Sequence, residues 1–290
     1  MENAPASRAV LITGASTGIG RATALDLAAA GFRVFAGIRK PEDGEALQRD
    51  ASGSLEPVTL DVTDGGQIEA AAARVEQVVE SELAGTGLAG LVNNAGVAVP
   101  SPLEVQPIED FRRQLEINLT GQLAVTQAFL PLLRKAKGRL VFVSSIGGRV
   151  ALPFTGAYHA SKFGLEAIGD SLRRELRPWG IEVSLVEPGA VTTPLWERGE
   201  REGDELIAGF SEQARELYGD KLERYRLMVR KIAADGVTPE QAAKVIVEAL
   251  TADKPKTRYL VGRDAKIQAR VAKLIPDRLM DGLISREMGF

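Results

Sequence analysis

The sequence predicts an α/β protein built on a doubly wound parallel sheet, in a single domain with a helical lid insertion near the C-terminus. Three observations carry this. Short apolar runs alternate with amphipathic helical stretches from residue 8 to residue 261, the pattern of a parallel sheet covered by helices on both faces. A glycine cluster, Gly14-Ala-Ser-Thr-Gly18-Ile-Gly20, separates the first apolar run from the first helix. Gly14, Asp61, Asn94, Ser145 and Pro188 all fall at or just past the ends of predicted strands. Ligands of such sheets bind at the carboxyl ends of the strands, so these residues converge on one rim.

The elements follow in order. Arg8-Ala-Val-Leu-Ile-Thr13 reads as a buried strand, and the glycine turn leads into a helix over Arg21–Ala30 with Gly31 as its cap. Arg33–Ile38 is the second strand, and Pro41-Glu-Asp opens a short helix. Leu55–Leu60 is the third strand, ending at Asp61; Asp64-x-x-Gln67 has the form of a capping box for a helix to about Leu83. Leu88–Asn93 is a strand, and 107 to 135 reads as one long helix. Arg139–Ser145 is a strand, which would point Ser144 and Ser145 to opposite faces. The helix carrying Tyr158 runs to about Trp179, and Ile181–Glu187 is another strand. Thr238-Pro-Glu-Gln241 caps a helix to about Thr251, and Arg258–Val261 is the last strand.

Residues 195–235 form a long insertion before the Thr238 helix. Leu222, Tyr225, Val229 and Ile232 recur there at helical spacing, with Phe210, Leu217 and Met228 nearby. One reading is a lid with an apolar inner face; the other is an amphipathic helix covering core. Residues 262–290 read as a helical extension with Ile267, Val271, Leu274 and Ile275 on one face among Lys266, Arg270 and Lys273. That face suits docking on the domain or on a second subunit, with membrane contact as the alternative.

Composition bounds the function. Of 290 residues, 44% are hydrophobic and 5% aromatic, an ordinary globular balance with a core of adequate size. There is no linker-like tract or repeat, so one domain spans 1–290. The net charge of −3 argues against nucleic acid or an anionic membrane as partner. No run approaches the ~18 apolar residues of a membrane span. Met1-Glu-Asn-Ala-Pro lacks the basic region of a secretory leader, so a cytoplasmic location is expected. The absence of Cys excludes disulfides, thiolate nucleophiles and Cys-ligated zinc, and the only histidine is His159, so no metal site is expected. On a helix His159 points about 100° away from the preceding Tyr158, which suits a packed or partly exposed residue.

Two constellations carry chemistry. Strand, glycine turn and helix make a cradle for a dinucleotide diphosphate, because glycines admit the backbone and the helix start offers free N–H groups. The spacing is Gly-x-x-x-Gly-x-Gly rather than the better-known Gly-x-Gly-x-x-Gly. Tyr158 and Lys162 stand at i and i+4 on one helix face, so the ammonium lies near the phenol. A phenol titrates near pH ~10, and a neighbouring cation lowers that value toward a useful acid or base.

Thr13-Gly14-x-x-x-Gly18-Ile-Gly20, Asn93-Asn94-Ala95-Gly96, Asn118, Ser145, Tyr158-x-x-x-Lys162 and Pro188-Gly189-x-Val191-x-Thr193 occur here in one order. This order resembles the short-chain dehydrogenases/reductases, over residues 8 to about 195 with no motif missing. Val34-Phe35-Ala36-Gly37 and the long segment after Thr193 resemble the steroid- and retinol-dehydrogenase-like members. The resemblance implies a Rossmann-type sheet and a catalytic set of Asn118, Ser145, Tyr158 and Lys162. Ser145, not Ser144, would hold the substrate oxygen. Tyr158 would exchange the proton, and Lys162 would lower the tyrosine pKa and touch the nicotinamide ribose. Asn118 would hold a water leading from Lys162 to solvent.

For the cofactor, the resemblance implies Gly14, Ser16, Thr17, Gly18, Ile19 and Gly20 at the diphosphate, and Asp61 and Val62 at the adenine. Asn94, Ala95 and Gly96 would lie alongside, and Pro188, Gly189, Val191 and Thr193 at the nicotinamide carboxamide. Ile38 stands where NAD-selective members carry an acid, and Arg39 follows it; a guanidinium there matches the extra phosphate of NADP. Thr17 departs from the basic residue that many NADP-using relatives have at its position. The implied function is hydride transfer between NADP(H), with NAD(H) possible, and a lipophilic carbonyl or alcohol of steroid, retinoid or long-chain type, by a homodimer or homotetramer. The alternatives are an NAD-dependent alcohol dehydrogenase of the same family, a sugar-nucleotide epimerase or dehydratase on a related scaffold, a non-catalytic NADP-binding regulator and a membrane-surface protein.

Overall fold

The computed structural model describes residues 8–288. The leader reading at Met1-Glu-Asn-Ala-Pro and the outer ends of the 1–290 span lie outside those residues. Seven parallel strands, β1 (Ala9–Ile12), β2 (Arg33–Ile38), β3 (Leu55–Thr59), β4 (Leu88–Asn93), β5 (Arg139–Val143), β6 (Glu182–Pro188) and β7 (Arg258–Val261), form one sheet in the order β3-β2-β1-β4-β5-β6-β7. The chain steps outward from β1 to β3, then returns across β1 to β4. The strand order therefore reverses between β1 and β4, and this switch point opens the ligand crevice of doubly wound sheets.

Every residue of β1 is buried, because the sheet is covered on both faces. Ala9 and Leu11 pack with Phe35, Leu91, Phe129, Phe142 and Leu165, on the side of α3 (Gly65–Glu82), α5 (Gly121–Ala136) and α6 (Gly156–Glu175). Val10 and Ile12 pack with Val34, Val92, Val141 and Ile246, on the side of α1 (Gly18–Ala29), α2 (Pro41–Asp50) and α9 (Pro239–Thr251). The period-two alternation of apolar residues thus feeds two cores at once. Gly31, with φ of +85°, ends α1 as expected. The Thr238–Gln241 capping box is complete.

Four expectations need correction. The helix over 107 to 135 is α4 (Ile108–Leu115), then a π turn (Glu116–Thr120), then α5. The fifth strand stops at Val143 rather than Ser145, although the Ser144 N–H still donates to the Val186 carbonyl at 2.8 Å. At Asp64 only half of the capping box forms: its carboxylate accepts from the Gln67 N–H, but Gln67 Oε1 instead accepts from the Asp61 N–H at 2.9 Å. In α10 (Arg263–Leu274) the docked face is Ala265 and Ala269, while Ile267 and Leu274 are exposed; α11 (Asp277–Met288) follows. Small residues let α10 lie close against Ile146 and Leu260, which the larger apolar side chains would prevent.

The 195–235 segment folds as α7 (Pro194–Ala208) and α8 (Glu212–Ala234). Phe210, Leu222 and Tyr225 are buried against Phe154, with Met228 and Val229 packed beside them. Leu217 and Ile232 lie on the exposed side. Among the described residues no helix is long and apolar enough to cross a membrane.

Candidate active site

The exit of β1 is bolted to the exit of β4. Thr13 Oγ1 accepts from the N–H groups of Asn94 and Ala95 at 2.9 and 3.0 Å. Asn94 Nδ2 donates to the carbonyls of Thr13 at 2.9 Å and Gly14 at 3.1 Å. Asn94 therefore has a structural role in shaping the glycine turn. A Cβ on Gly20 would lie 2.3 Å from the Gly14 oxygen, so only glycine lets α1 start this close to the turn. Gly14 and Gly18 have φ of +64° and +56°, where side chains are disfavoured. The first turn of α1 has no side-chain cap at Thr17. Uncapped N–H groups at a helix start, faced by bare glycine backbone, fit the diphosphate of a dinucleotide.

A cavity of about 560 Å³ runs along the strand ends. Arg39, Asp61 and Val62 line one end; Ser16, Thr17, Gly18, Ile19, Asn94, Ala95 and Gly96 line the middle; Ser145, Tyr158, Lys162 and the Pro188–Thr193 segment line the other. Of the residues expected in catalysis or cofactor binding, only Gly20 and Asn118 stand behind the lining. Arg39 is exposed at the rim. The Asp61 carboxylate is turned into its own loop, accepting from Thr63 N at 3.0 Å and Thr63 Oγ1 at 2.8 Å.

Ser145 leaves β5 in extended conformation and its Oγ accepts from the Gly147 N–H at 2.9 Å. The same hydroxyl faces the Tyr158 phenol and lowers its pKa. Lys162 is buried and its Nζ donates to the Val143 carbonyl at 2.8 Å, 5.7 Å from the centre of the Tyr158 ring. Burial lowers the Lys162 pKa to about 8, opposed by the Glu166 carboxylate. Burial also pushes the Tyr158 phenol up, opposed by the Ser145 hydroxyl. The expected depression of Tyr158 by Lys162 is therefore not met: removal from water dominates, and the ammonium is aimed at a carbonyl rather than at the phenol oxygen. Tyr158 keeps part of its surface open, but only to the cavity.

Asn118 is fully buried in the π turn. Its Oδ1 accepts from the Val97 N–H at 2.8 Å, and its Nδ2 donates to the Val97 carbonyl at 2.8 Å and Ser161 Oγ at 3.1 Å. The side-chain amide is thus committed to protein partners, which leaves the main chain for any contact with water. A Cβ on Gly96 would lie 3.3 Å from Asn118 Oδ1 and 3.9 Å from Lys162 Nζ, so Gly96 keeps the space between them open.

Four residues were not singled out as site residues from the sequence. His159 is buried, with Nδ1 2.9 Å from the Gly147 oxygen and Nε2 3.0 Å from Thr155 Oγ1. A carbonyl only accepts, so Nδ1 carries the proton and Nε2 accepts from Thr155. Burial lowers the His159 pKa and keeps the ring neutral. Thr155 also faces the phenol of Tyr225 on α8, whose pKa burial raises to about 12, opposed by Thr155. Tyr225, Thr155, His159 and the Gly147 peptide thus connect α8 to Ser145. Asp264 at the start of α10 accepts from the Ala190 N–H at 2.8 Å and occupies the space a Cβ on Gly189 would need. Only the Thr155–His159 pair is local, at four positions; His159 and Gly147 are 12 apart, and Asp264 and Ala190 are 74 apart, beyond any local sequence signature. Around Ser145 and Tyr158, Val150, Leu152, Leu195, Trp196, Met228 and Val229 make the cavity wall largely apolar. Among the described residues no cluster of His, Cys, Asp or Glu suits a metal ion.

Comparison with known proteins agrees with this geometry. The short chain dehydrogenase family matches residues 8–203. Mouse (Mus musculus) retinol dehydrogenase 5 is 40% identical over 98% of this chain and 90% of its own length. The NADPH-dependent 3-dehydrocapnine reductase of Ornithobacterium rhinotracheale is 34% identical over 97% of each chain. A short chain dehydrogenase from Burkholderia cenocepacia J2315, solved in complex with NADP, superposes with a TM-score of 0.70 at 25% identity, covering 97% of both chains. The chain belongs to the short-chain dehydrogenase family and is an oxidoreductase acting on alcohol and carbonyl groups with NAD(P).

Proposed function

We propose that this protein is an NADP(H)-dependent oxidoreductase that interconverts a lipophilic carbonyl compound, of steroid, retinoid or long-chain type, and its alcohol. The observation that carries the reading is the meeting of Ser145, Tyr158 and Lys162, within a largely apolar wall, at one end of a cavity whose other end carries Arg39. NADP(H), when bound, supplies or accepts the hydride at the carbonyl carbon. In reduction Ser145 Oγ donates to the substrate oxygen, and Tyr158 delivers its phenolic proton to that oxygen as charge develops there. The Tyr158 proton is replaced through Lys162 from a water that the main chain of Asn118 would hold in the gap beside Gly96. Oxidation runs the same proton path in reverse. A phenol held protonated by burial suits the reductive direction.

The cofactor would be held by the first turn of α1 with Gly14, Ser16, Thr17, Gly18, Ile19 and Gly20, and by Asp61 and Val62 at the adenine end. Asn94, Ala95 and Gly96 would flank it, and Pro188, Gly189, Val191 and Thr193 would take the nicotinamide end. The α7–α8 pair is read as the substrate lid, its apolar residues facing the lipophilic part of the substrate. Arg39, exposed and without a carboxylate partner among the described residues, would take the 2′-phosphate. The relative with NADPH in its name and the neighbour solved with NADP support that preference. The retinol dehydrogenase relative supports the substrate class. A cytoplasmic homodimer or homotetramer completes the proposal, to be read by light scattering and cell fractionation.

The test is a titration of wild type and Tyr158→Phe with NADPH and with NADH, followed through Trp196, which lines the cavity. Both proteins should bind NADPH alike and more tightly than NADH, while turnover in the variant falls by about 10²–10⁴-fold. Equal affinity for the two cofactors would remove the role given to Arg39, and retained turnover would remove that given to Tyr158.

A further inference from the structure

We infer that Arg198, carried by the lid helix α7, is a diphosphate-binding residue of the cofactor site, so that the lid closes on the cofactor as well as on the substrate. This rests on the NADP(H) reading of the cavity. Arg198 Nη2 donates to Thr17 Oγ1 at 2.7 Å, and its Nε donates to the Pro194 carbonyl at 3.3 Å. Thr17 is the residue that leads into the uncapped first turn of α1. The start of α7 seats on the same turn: a Cβ on Gly18 would lie 3.1 Å from Thr193 Cγ2. The guanidinium lines the cavity and is half-buried.

Its charge is unmatched among the described residues. Three acids further along α7 are each taken by an arginine: Glu200 by Arg230, Glu202 by Arg113 and Asp204 by Arg226. Arg21, the other basic residue on this part of α1, is paired with Asp50. Arg198 meets no carboxylate within ion-pair distance among the described residues; Glu197, which also lines the cavity, makes no ion pair with it. A partly desolvated guanidinium with spare N–H donors is costly when it lacks an anion. The group expected beside Thr17 is anionic, and a guanidinium fork matches phosphate oxygens. Helix start, glycine backbone and lid arginine would then enclose the diphosphate from different sides.

The experiment measures binding by calorimetry for wild type, Arg198→Met, Arg198→Gln and Arg198→Lys, with thermal melts of each cofactor-free protein confirming the fold. The ligands are NADPH, ADP-ribose, which has the diphosphate but no 2′-phosphate, and adenosine 2′-monophosphate, which has the reverse. Met and Gln variants should lose about ten- to a hundredfold for NADPH and ADP-ribose and nothing for adenosine 2′-monophosphate. Lys should fall between them and wild type. Gln can still donate to Thr17, so a Gln variant that binds like wild type would reduce Arg198 to a tether for the lid and overturn the assignment. A loss confined to the ligands bearing the 2′-phosphate would overturn it too. Wild type failing to bind either NADPH or ADP-ribose would bring down the cofactor reading itself, whereas normal wild-type binding with unaffected variants would bring down Arg198 alone.

Discussion

Lys162 illustrates how a single residue sets function against stability. Its ammonium is buried with one carbonyl acceptor, and its pKa falls from 10.5 to about 8. Between those two values the unfolded chain holds more protons than the folded one, so stability rises with pH across that window. Below pH 8 the full penalty of burying the charge is present; above 10.5 it is gone. Lys162→Met should therefore be inactive yet more stable than wild type at pH 7, by about 1–2 kcal/mol after the lost hydrogen bond is subtracted. The advantage should shrink toward zero by pH 10 in paired urea unfolding curves. A variant less stable than wild type at pH 7 would mean that the carbonyl contact outweighs the burial of the charge.

At the scale of elements, the π turn at Glu116–Thr120 and the loop from Ser145 to Tyr158 do the positioning. The π turn interrupts what would be one continuous helix and places Asn118 between Val97 and Ser161, a local departure of the kind found at functional sites. In the loop, Phe154 adopts φ of +66° and stacks edge-on against Tyr225 of α8, ring centres 5.7 Å apart. Such a conformation persists for a bulky residue only where packing holds it. Tyr225→Phe keeps the ring contact and removes the phenol that faces Thr155. It should lower stability by about 0.5–1.5 kcal/mol and reduce kcat, with NADPH affinity unchanged. Urea unfolding and a kcat measurement check this, and an unchanged kcat would confine the chain from Tyr225 to Gly147 to a structural role.

Across the whole molecule, the site is held together by a buried ionic cluster behind the catalytic residues. Glu187 on β6 is fully buried and faces Arg149 from the loop after Ser145, Nε to Oε2 at 2.6 Å but off the line of a straight hydrogen bond. Arg258 on β7 reaches Glu187 at 3.2 Å, Glu166 at 3.0 Å and Asp170 at 3.1 Å, the last two on α6, the helix that bears Tyr158 and Lys162. Burial raises the Glu187 pKa while the two arginines hold it down. Removing one partner of a buried pair strands the other charge. Arg258 is partly exposed and Glu187 keeps Arg149, so Arg258→Met should cost about 1–3 kcal/mol, seen as a fall in melting temperature that added NADPH only partly restores. A shift of a degree or less would place these groups effectively in water.

Much of this was legible in the sequence because it is local. Period-two burial in the strands, the glycine turn, the Thr238–Gln241 cap and the i, i+4 pairing of Tyr158 with Lys162 each depend on residues within a few positions of one another, and the structure has all of them. Convergence of the motifs on one rim also followed, since a doubly wound parallel sheet leaves its strand ends no other place to meet. The tertiary structure alone decided what depends on distant neighbours. It broke the long helix at Asn118, whose amide finds partners 21 and 43 positions away. It docked α10 through its alanines, and it brought Arg198 to Thr17 across 181 residues. It also set the direction of the Tyr158 and Lys162 shifts. Proximity along a helix fixes which charges are neighbours, but burial fixes how much each charge costs, and burial is a property of the whole fold.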